Sequence, residues 1–213
     1  MPKVTKNQSQ LQKKTLFPKE QEREDVQKLR QEWIEYIPFI EISRLLYLDE
    51  TSINLAMTRL YGRAFGGERV VDYVPDVRFE RYSLLSTISA TSDMIPLVYS
   101  GTLNGGFFKE FIARFVVPKL KQRDILVMDC LSVHKVKGIA EMVEAAGANV
   151  VYLPPYSPDL NPIEFVWPEI KADLKKLKAR TYDTICDGIS DAIDAVTPEH
   201  AANHFAHCYC STQ

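Results

Sequence analysis

The chain has 213 residues, 46% hydrophobic and 25% charged, with a net charge of −2. That balance excludes a disordered chain, a fibrous repeat and a small disulfide scaffold, and the length suffices for a self-supporting core. No apolar run approaches the roughly 18 residues of a membrane span, no signal-peptide pattern opens the chain, and four scattered cysteines predict a reducing, cytoplasmic setting.

Residues 1–20 read as a polar arm. Glu20–Tyr36 spaces Val26, Leu29, Trp33 and Ile34 as the apolar stripe of a short helix. Ser43–Asp49 reads as a buried strand ending in an acid, and Arg69–Val74, Tyr82–Ser89 and Met94–Tyr99 are also strand-like. Gly101 and Gly105–Gly106 mark turns, and Phe107–Leu120 has helical spacing. Ile125–Asp129 is an apolar strand ending in a second acid. A helix follows over Val136–Ala146, closed by Gly147. Asn149–Leu153 is the next strand, and the turn Pro154–Pro158 leads into a helix from Pro162 to about Lys178. Thr181–Val196 and Pro198–Cys208 are two further helices. Strands in meander followed by helix–strand alternation predict an α/β fold, a mixed five-stranded sheet flanked by helices, which fits the RNase H-like architecture. The expected organisation is an arm and short helix over 1–38, the α/β domain over 39–180, and C-terminal helices over 181–213 packed on it.

Carboxylates at the ends of buried strands are costly unless they bind something, and strand ends are where open sheets place their sites. Asp49 and Asp129 stand at such positions, and Glu164 falls in the first turn of the helix after Asn161 and Pro162. Three converging carboxylates repel one another, and a pair of hard divalent cations resolves that repulsion. The same residues fit plainer roles. Asn161–Glu164 matches a capping box, and a lone Asp at a strand end is a favoured turn residue.

The segments Tyr47–Ser52, Val127–Lys135 and Leu153–Trp167 resemble the IS630/Tc1/mariner superfamily of DDE transposases, and 34 residues separate Asp129 from Glu164, as is usual there. Tyr61–Arg63 resembles that family's hairpin region. The resemblance implies a catalytic, metal-holding triad of Asp49, Asp129 and Glu164, with Mg²⁺ or Mn²⁺, two ions, as cofactor. It implies supporting roles for His134 and Asn161. Glu50 competes with Asp49, but strand alternation puts it on the opposite face. Cys130 stands where the family usually has Asn.

By the same resemblance the activity is DNA cleavage at transposon ends and strand transfer into target DNA at a TA dinucleotide, in a bacterial cytoplasm at the nucleoid. Full-length relatives carry helix-turn-helix domains ahead of the core. The expectation is therefore a second-reading-frame product or catalytic fragment, partnered by a helix-turn-helix polypeptide, by double-stranded DNA and possibly by a second copy in a homodimer. Two other readings stay open: another RNase H-like nuclease, or an inactive module that binds DNA or protein.

Charge distribution bears on DNA. Residues 166–180 carry five basic and two acidic side chains, next to a tail over 181–213 with five acids and no Lys or Arg. Lys171, Lys175 and Lys178 share a helix face at i, i+4, i+7, which suits phosphate contacts as well as a solvated surface. Arg59 and Arg63 lie in a stretch free of acids, and Lys135 follows the second acid motif. His200, His204 and Cys208 fall on one face of the last helix, a pattern that ordinary packing explains better than zinc.

Overall fold

The computed structural model describes residues 18–74 and 80–210. Five strands form one sheet: β1 (Leu45–Asn54), β2 (Arg81–Ser89), β3 (Leu97–Ser100), β4 (Ile125–Met128) and β5 (Asn149–Tyr152). Their spatial order is β3-β2-β1-β4-β5. The first three strands pair antiparallel, whereas β4 runs parallel to both β1 and β5. The sheet is the mixed, five-stranded one that the sequence predicts.

Six helices cover its two faces: α1 (Glu24–Tyr36), α2 (Gly105–Phe111), α3 (Ile139–Ala145), α4 (Ile163–Leu177), α5 (Tyr182–Asp194) and α6 (Pro198–Cys210). The period-two pattern of β1 explains how. Leu45, Tyr47 and Ile53 enter one core with Trp33 and Ile37, the inner side of α4, Ile185 and Ile189 of α5, and Phe205 of α6. Leu48 enters the opposite core with Leu85, Phe108, Phe111, Ile139 and Val143.

Several boundaries differ from expectation, each for a local reason. Arg69–Val74 is not a strand: β1 and β2 pair with each other over residues 46–54 and 81–89, and Val71 and Tyr73 stay 67% and 86% exposed. β3 begins only at Leu97, after Pro96, which has no N–H to give to a ladder. α2 opens at Asn104, whose side chain accepts from the Phe107 amide, and then widens into a five-residue turn over Ile112–Val116 before Pro118 ends it. α3 starts late because Gly138 is left-handed, with φ 94°. In α1, Leu29 is exposed and Val26 and Trp33 are buried, as is Ile37 just beyond its end.

Two features of α4 matter later. Pro168 lies inside the helix, so no amide is available for the Glu164 carbonyl one turn earlier. At the far end Lys178 is left-handed, with φ 53°, and closes the helix. Arg180, just beyond, donates to the carbonyls of Leu55 and Met57 and to the Thr58 hydroxyl, which fixes the chain as it leaves β1.

The last helix is part of this core. Phe205 is fully buried and meets Tyr47 edge-on, with ring centroids 5.4 Å apart. Phe205→Ala is expected to cost about 3–5 kcal/mol in urea unfolding, as large-to-small changes in a packed core do; a loss below about 1 kcal/mol would show that α6 is dispensable to the sheet.

Candidate active site

The parallel register sets the site. Tyr47 lies opposite Val127 on β4, so two residues on, Asp49 and Asp129 reach the same height. β4 ends at Met128, and Asp129 is the first residue beyond it. Asp49 is not at a strand end: β1 runs on to Asn54, with Asp49 opposite Ser86 of β2. The two acids thus meet where β4 stops and β1 continues alone with β2. Glu164 arrives from α4, after the tight turn Pro158–Leu160. All three line one open cleft of about 550 Å³, together with Asn161, Cys130 and Lys135. Glu50, on the opposite face of β1, does not line it.

The cleft is electrostatically strained. Burial, with the Glu164 charge adding, pushes the Asp49 carboxyl up to about 7, against the hydrogen bond that Trp167 Nε1 donates to its Oδ2 at 3.1 Å. Glu164 is exposed overall, yet partial enclosure of its carboxyl raises it; Lys171 opposes the shift and Asp129 adds to it. Burial in turn lowers Lys171, against the pull of Glu164.

Asp129 is held from two sides. Its Oδ1 accepts from the Leu131 amide at 3.0 Å and meets Nδ1 of His134 at 2.5 Å. His134 is 1% exposed, packed on Phe108, and its Nε2 has no partner. A proton on Nε2 would be buried without an acceptor, so the arrangement is satisfied with the ring proton on Nδ1, donated to Asp129. Cys130 has a clear use as well: its thiol donates to the Leu153 carbonyl at 3.1 Å, joining the chain beyond β4 to the chain beyond β5.

Asn161 is buried, and the capping box does not form. Its amide donates to the Pro158 carbonyl, its own carbonyl accepts from the Glu164 amide, and α4 opens without a side-chain cap. Glu164 is thereby left available to the cleft. The donors presented there are hard oxygens, the chemistry that a divalent cation of the Mg²⁺ type accepts, and the mutual repulsion of Asp49, Glu164 and Asp129 is what such an ion relieves. Among the described residues no three His, Cys, Asp or Glu side chains are yet gathered around one point.

The basic residues divide. Lys171 is half-buried beside Glu164. Lys175 is exposed and shares a groove with Arg59, Tyr61 and Lys176, which brings two of the expected basic sites together. Arg63 is exposed, and Lys135 stands at the cleft with Nζ 5.3 Å from the Tyr152 ring centroid. Lys178 departs from expectation: as the left-handed residue that closes α4 it leaves the Lys171–Lys175 face, and its Nζ donates to Asp72 at 2.6 Å. At the C-terminus His204 bonds Glu169 at 3.1 Å and stacks on Phe165, as helix packing predicts. Sequence reasoning missed Trp167, although a Trp one turn after Glu164 carries an N–H that needs a partner when buried.

The raised Asp49 carboxyl has a pH consequence. Its folded pKa lies above its unfolded value, so the folded state binds the extra proton and stability falls as pH rises from about 4 through 7. In metal-free urea unfolding, Asp49→Asn should gain about 2 kcal/mol relative to the parent protein between pH 5 and pH 8. A difference that does not change with pH would contradict the assignment.

Comparison with known proteins agrees with the fold. The solved structure of a Mos1 transposase paired-end complex with left transposon end superposes with a TM-score of 0.74 at 16% identity, covering 96% of this chain and 67% of that one. The Mos1 strand transfer complex gives 0.71 at 17% identity, with the same shares covered. The isolated catalytic domain of Mos1 mariner transposase gives 0.65 at 15% identity, covering 89% of this chain and 92% of that one. The chain therefore shares the Mos1 catalytic fold and spans about two thirds of the longer chains. No curated protein matches the sequence. The family model of the DDE superfamily endonucleases matches residues 44–186, a span that begins ahead of Asp49 and ends beyond Glu164, and the chain belongs to that family.

Proposed function

We propose that the protein is the catalytic part of a Tc1/mariner-type DDE transposase, which cleaves DNA at transposon ends and transfers the freed 3′-hydroxyl into target DNA. The observation that carries this reading is the delivery of Asp49, Asp129 and Glu164, from three separate elements, to one open cleft where their charges oppose each other. Asp49 and Asp129 would together hold the divalent cations, Mg²⁺ or Mn²⁺, two in number by the family resemblance, and Glu164 would complete one of the two sites. Such ions would supply activation of a water or 3′-hydroxyl and stabilisation of the leaving oxygen of a phosphodiester. Mos1 paired-end complexes have been solved with Mg and with Mn, which supports the choice of ions.

The remaining residues orient. His134 keeps Asp129 aimed with its Nδ1–H, Trp167 does the same for Asp49, and Cys130 ties the two loops below them. Arg59, Arg63, Lys135, Lys171 and Lys175 would contact DNA phosphates, which position a duplex without reading it. Base-edge readout needs an element that enters the major groove; a helix-turn-helix polypeptide is the partner we propose for it, with a homodimer to bring two ends together. Insertion at TA follows from the family resemblance. Among the described residues no helix is long and apolar enough to cross a membrane; the proposed setting is the bacterial nucleoid.

Incubating the protein with a pre-cleaved transposon-end duplex, a plasmid target and Mn²⁺ separates this reading from a simple RNase H-like nuclease. Joined end–plasmid products are expected, and cleavage without joining would favour the nuclease. In thermal or urea unfolding the parent protein should gain about 2.7 kcal/mol at a metal concentration one hundredfold above Kd, and Asp129→Asn less than about 1 kcal/mol. Equal gains would remove Asp129 from the metal site. Arg59→Glu with Lys175→Glu should weaken binding equally for all DNA sequences and lower the salt slope by about two units, one per lost phosphate contact. Unchanged binding at low salt would make that groove a solvated surface.

A further inference from the structure

The Pro158–Leu160 turn that leads to Glu164 is gripped by a helix from the other end of the chain. Arg30 of α1 forms a two-pronged ion pair with Asp159: Nη1 to Oδ1 at 3.0 Å and Nη2 to Oδ2 at 2.6 Å. The Arg30 side chain is 19% exposed and that of Asp159 34%. Gln21, just ahead of α1, donates to the Tyr156 carbonyl and to Asp159 Oδ1. Tyr156 itself is left-handed, with φ 55°, a conformation that a bulky side chain holds only when its surroundings impose it. α1 is a firm support, because Trp33 and Ile37 are buried in the main core.

From Asp159 the path to the cleft is short and stiff. The Leu160 amide bonds Ser157, the Asn161 amide bonds Pro158, and the Glu164 amide bonds Asn161. Leu160 is anchored in the same core as Trp33. The start of α4 has no side-chain cap. The turn that Asp159 belongs to therefore sets where the first turn of α4 begins, and with it Glu164.

We infer that Arg30 is a positioning residue for Glu164: its fork on Asp159 fixes the turn that aims the third carboxylate. This rests on the catalytic role of Glu164 proposed above. A shift of about 1 Å at a catalytic group costs on the order of 10²-fold in rate, far more than the same ion pair contributes to folding. A planar guanidinium with two parallel bonds is suited to that task, and a lysine is not.

The test measures Mn²⁺-dependent nicking of supercoiled plasmid together with amide hydrogen exchange. Arg30→Ala is expected to lower kcat about tenfold with KM for DNA within twofold, Arg30→Lys to recover little, and the exchange Arg30→Asp with Asp159→Arg to recover most of the loss. Amides of Leu160, Asn161 and Glu164 should exchange at least tenfold faster in Arg30→Ala, with those of α5 unchanged. Normal kcat with unchanged exchange at these amides overturns the inference, as does faster exchange spread equally over α5, which would mean general loosening. If the parent protein nicks no DNA, the catalytic reading of the cleft fails on its own, and the exchange pattern alone decides whether Arg30 sets the turn.

Discussion

Two parallel strands carry Asp49 and Asp129 to one height, and the molecule has to keep both carboxylates close although like charges resist it. Much of the surrounding structure reads as a response to that repulsion. Trp167 reaches from α4 to give Asp49 a hydrogen bond, buried His134 gives one to Asp129, and Lys171 offsets Glu164 from about two helical turns along α4. None of these donors neutralises the cluster, and Asp49 remains poised near pH 7. Like charge is thus concentrated at one edge of the sheet, and only hydrogen bonds and Lys171 oppose it.

The sheet order makes such a site possible. β1 is central, bonded to β2 along its length and to β4 only over Leu45–Tyr47. Where β4 ends, β1 continues with one edge released, and that opening is the floor of the cleft. Cys130 closes the floor on the β5 side through Leu153, and Arg180 closes the other end by holding Leu55–Thr58. α1, α5 and α6 join the core beneath β1.

Much of this could be read from the residues. Buried apolar strands such as Ile125–Met128 are unmistakable, and the acids that follow or interrupt them mark the site because burial makes them costly. Local pattern failed where tertiary pairing decides. Arg69–Val74 has strand composition and no partner, and Asp49 interrupts its strand because β2 continues to bond it. Asn161–Glu164 has a capping-box spelling, but the Asn161 amide is taken by Pro158. Lys178 fits a helical face by spacing and is lost to it because α4 ends one residue earlier. Trp167, Arg30 and Arg180 escaped notice because their partners lie more than one hundred residues away in the chain.

Pro168 gives the site an uneven stiffness. Asp49 is set in β1 and bonded through it to β2, but the Glu164 carbonyl has no amide to bind within its helix. A helix bends most readily where its ladder has such a gap. The first turn of α4 therefore leans on the ties ahead of it, Leu160 to Ser157 and Asn161 to Pro158, more than on its own ladder, which makes the aim of Glu164 a property of the preceding turn.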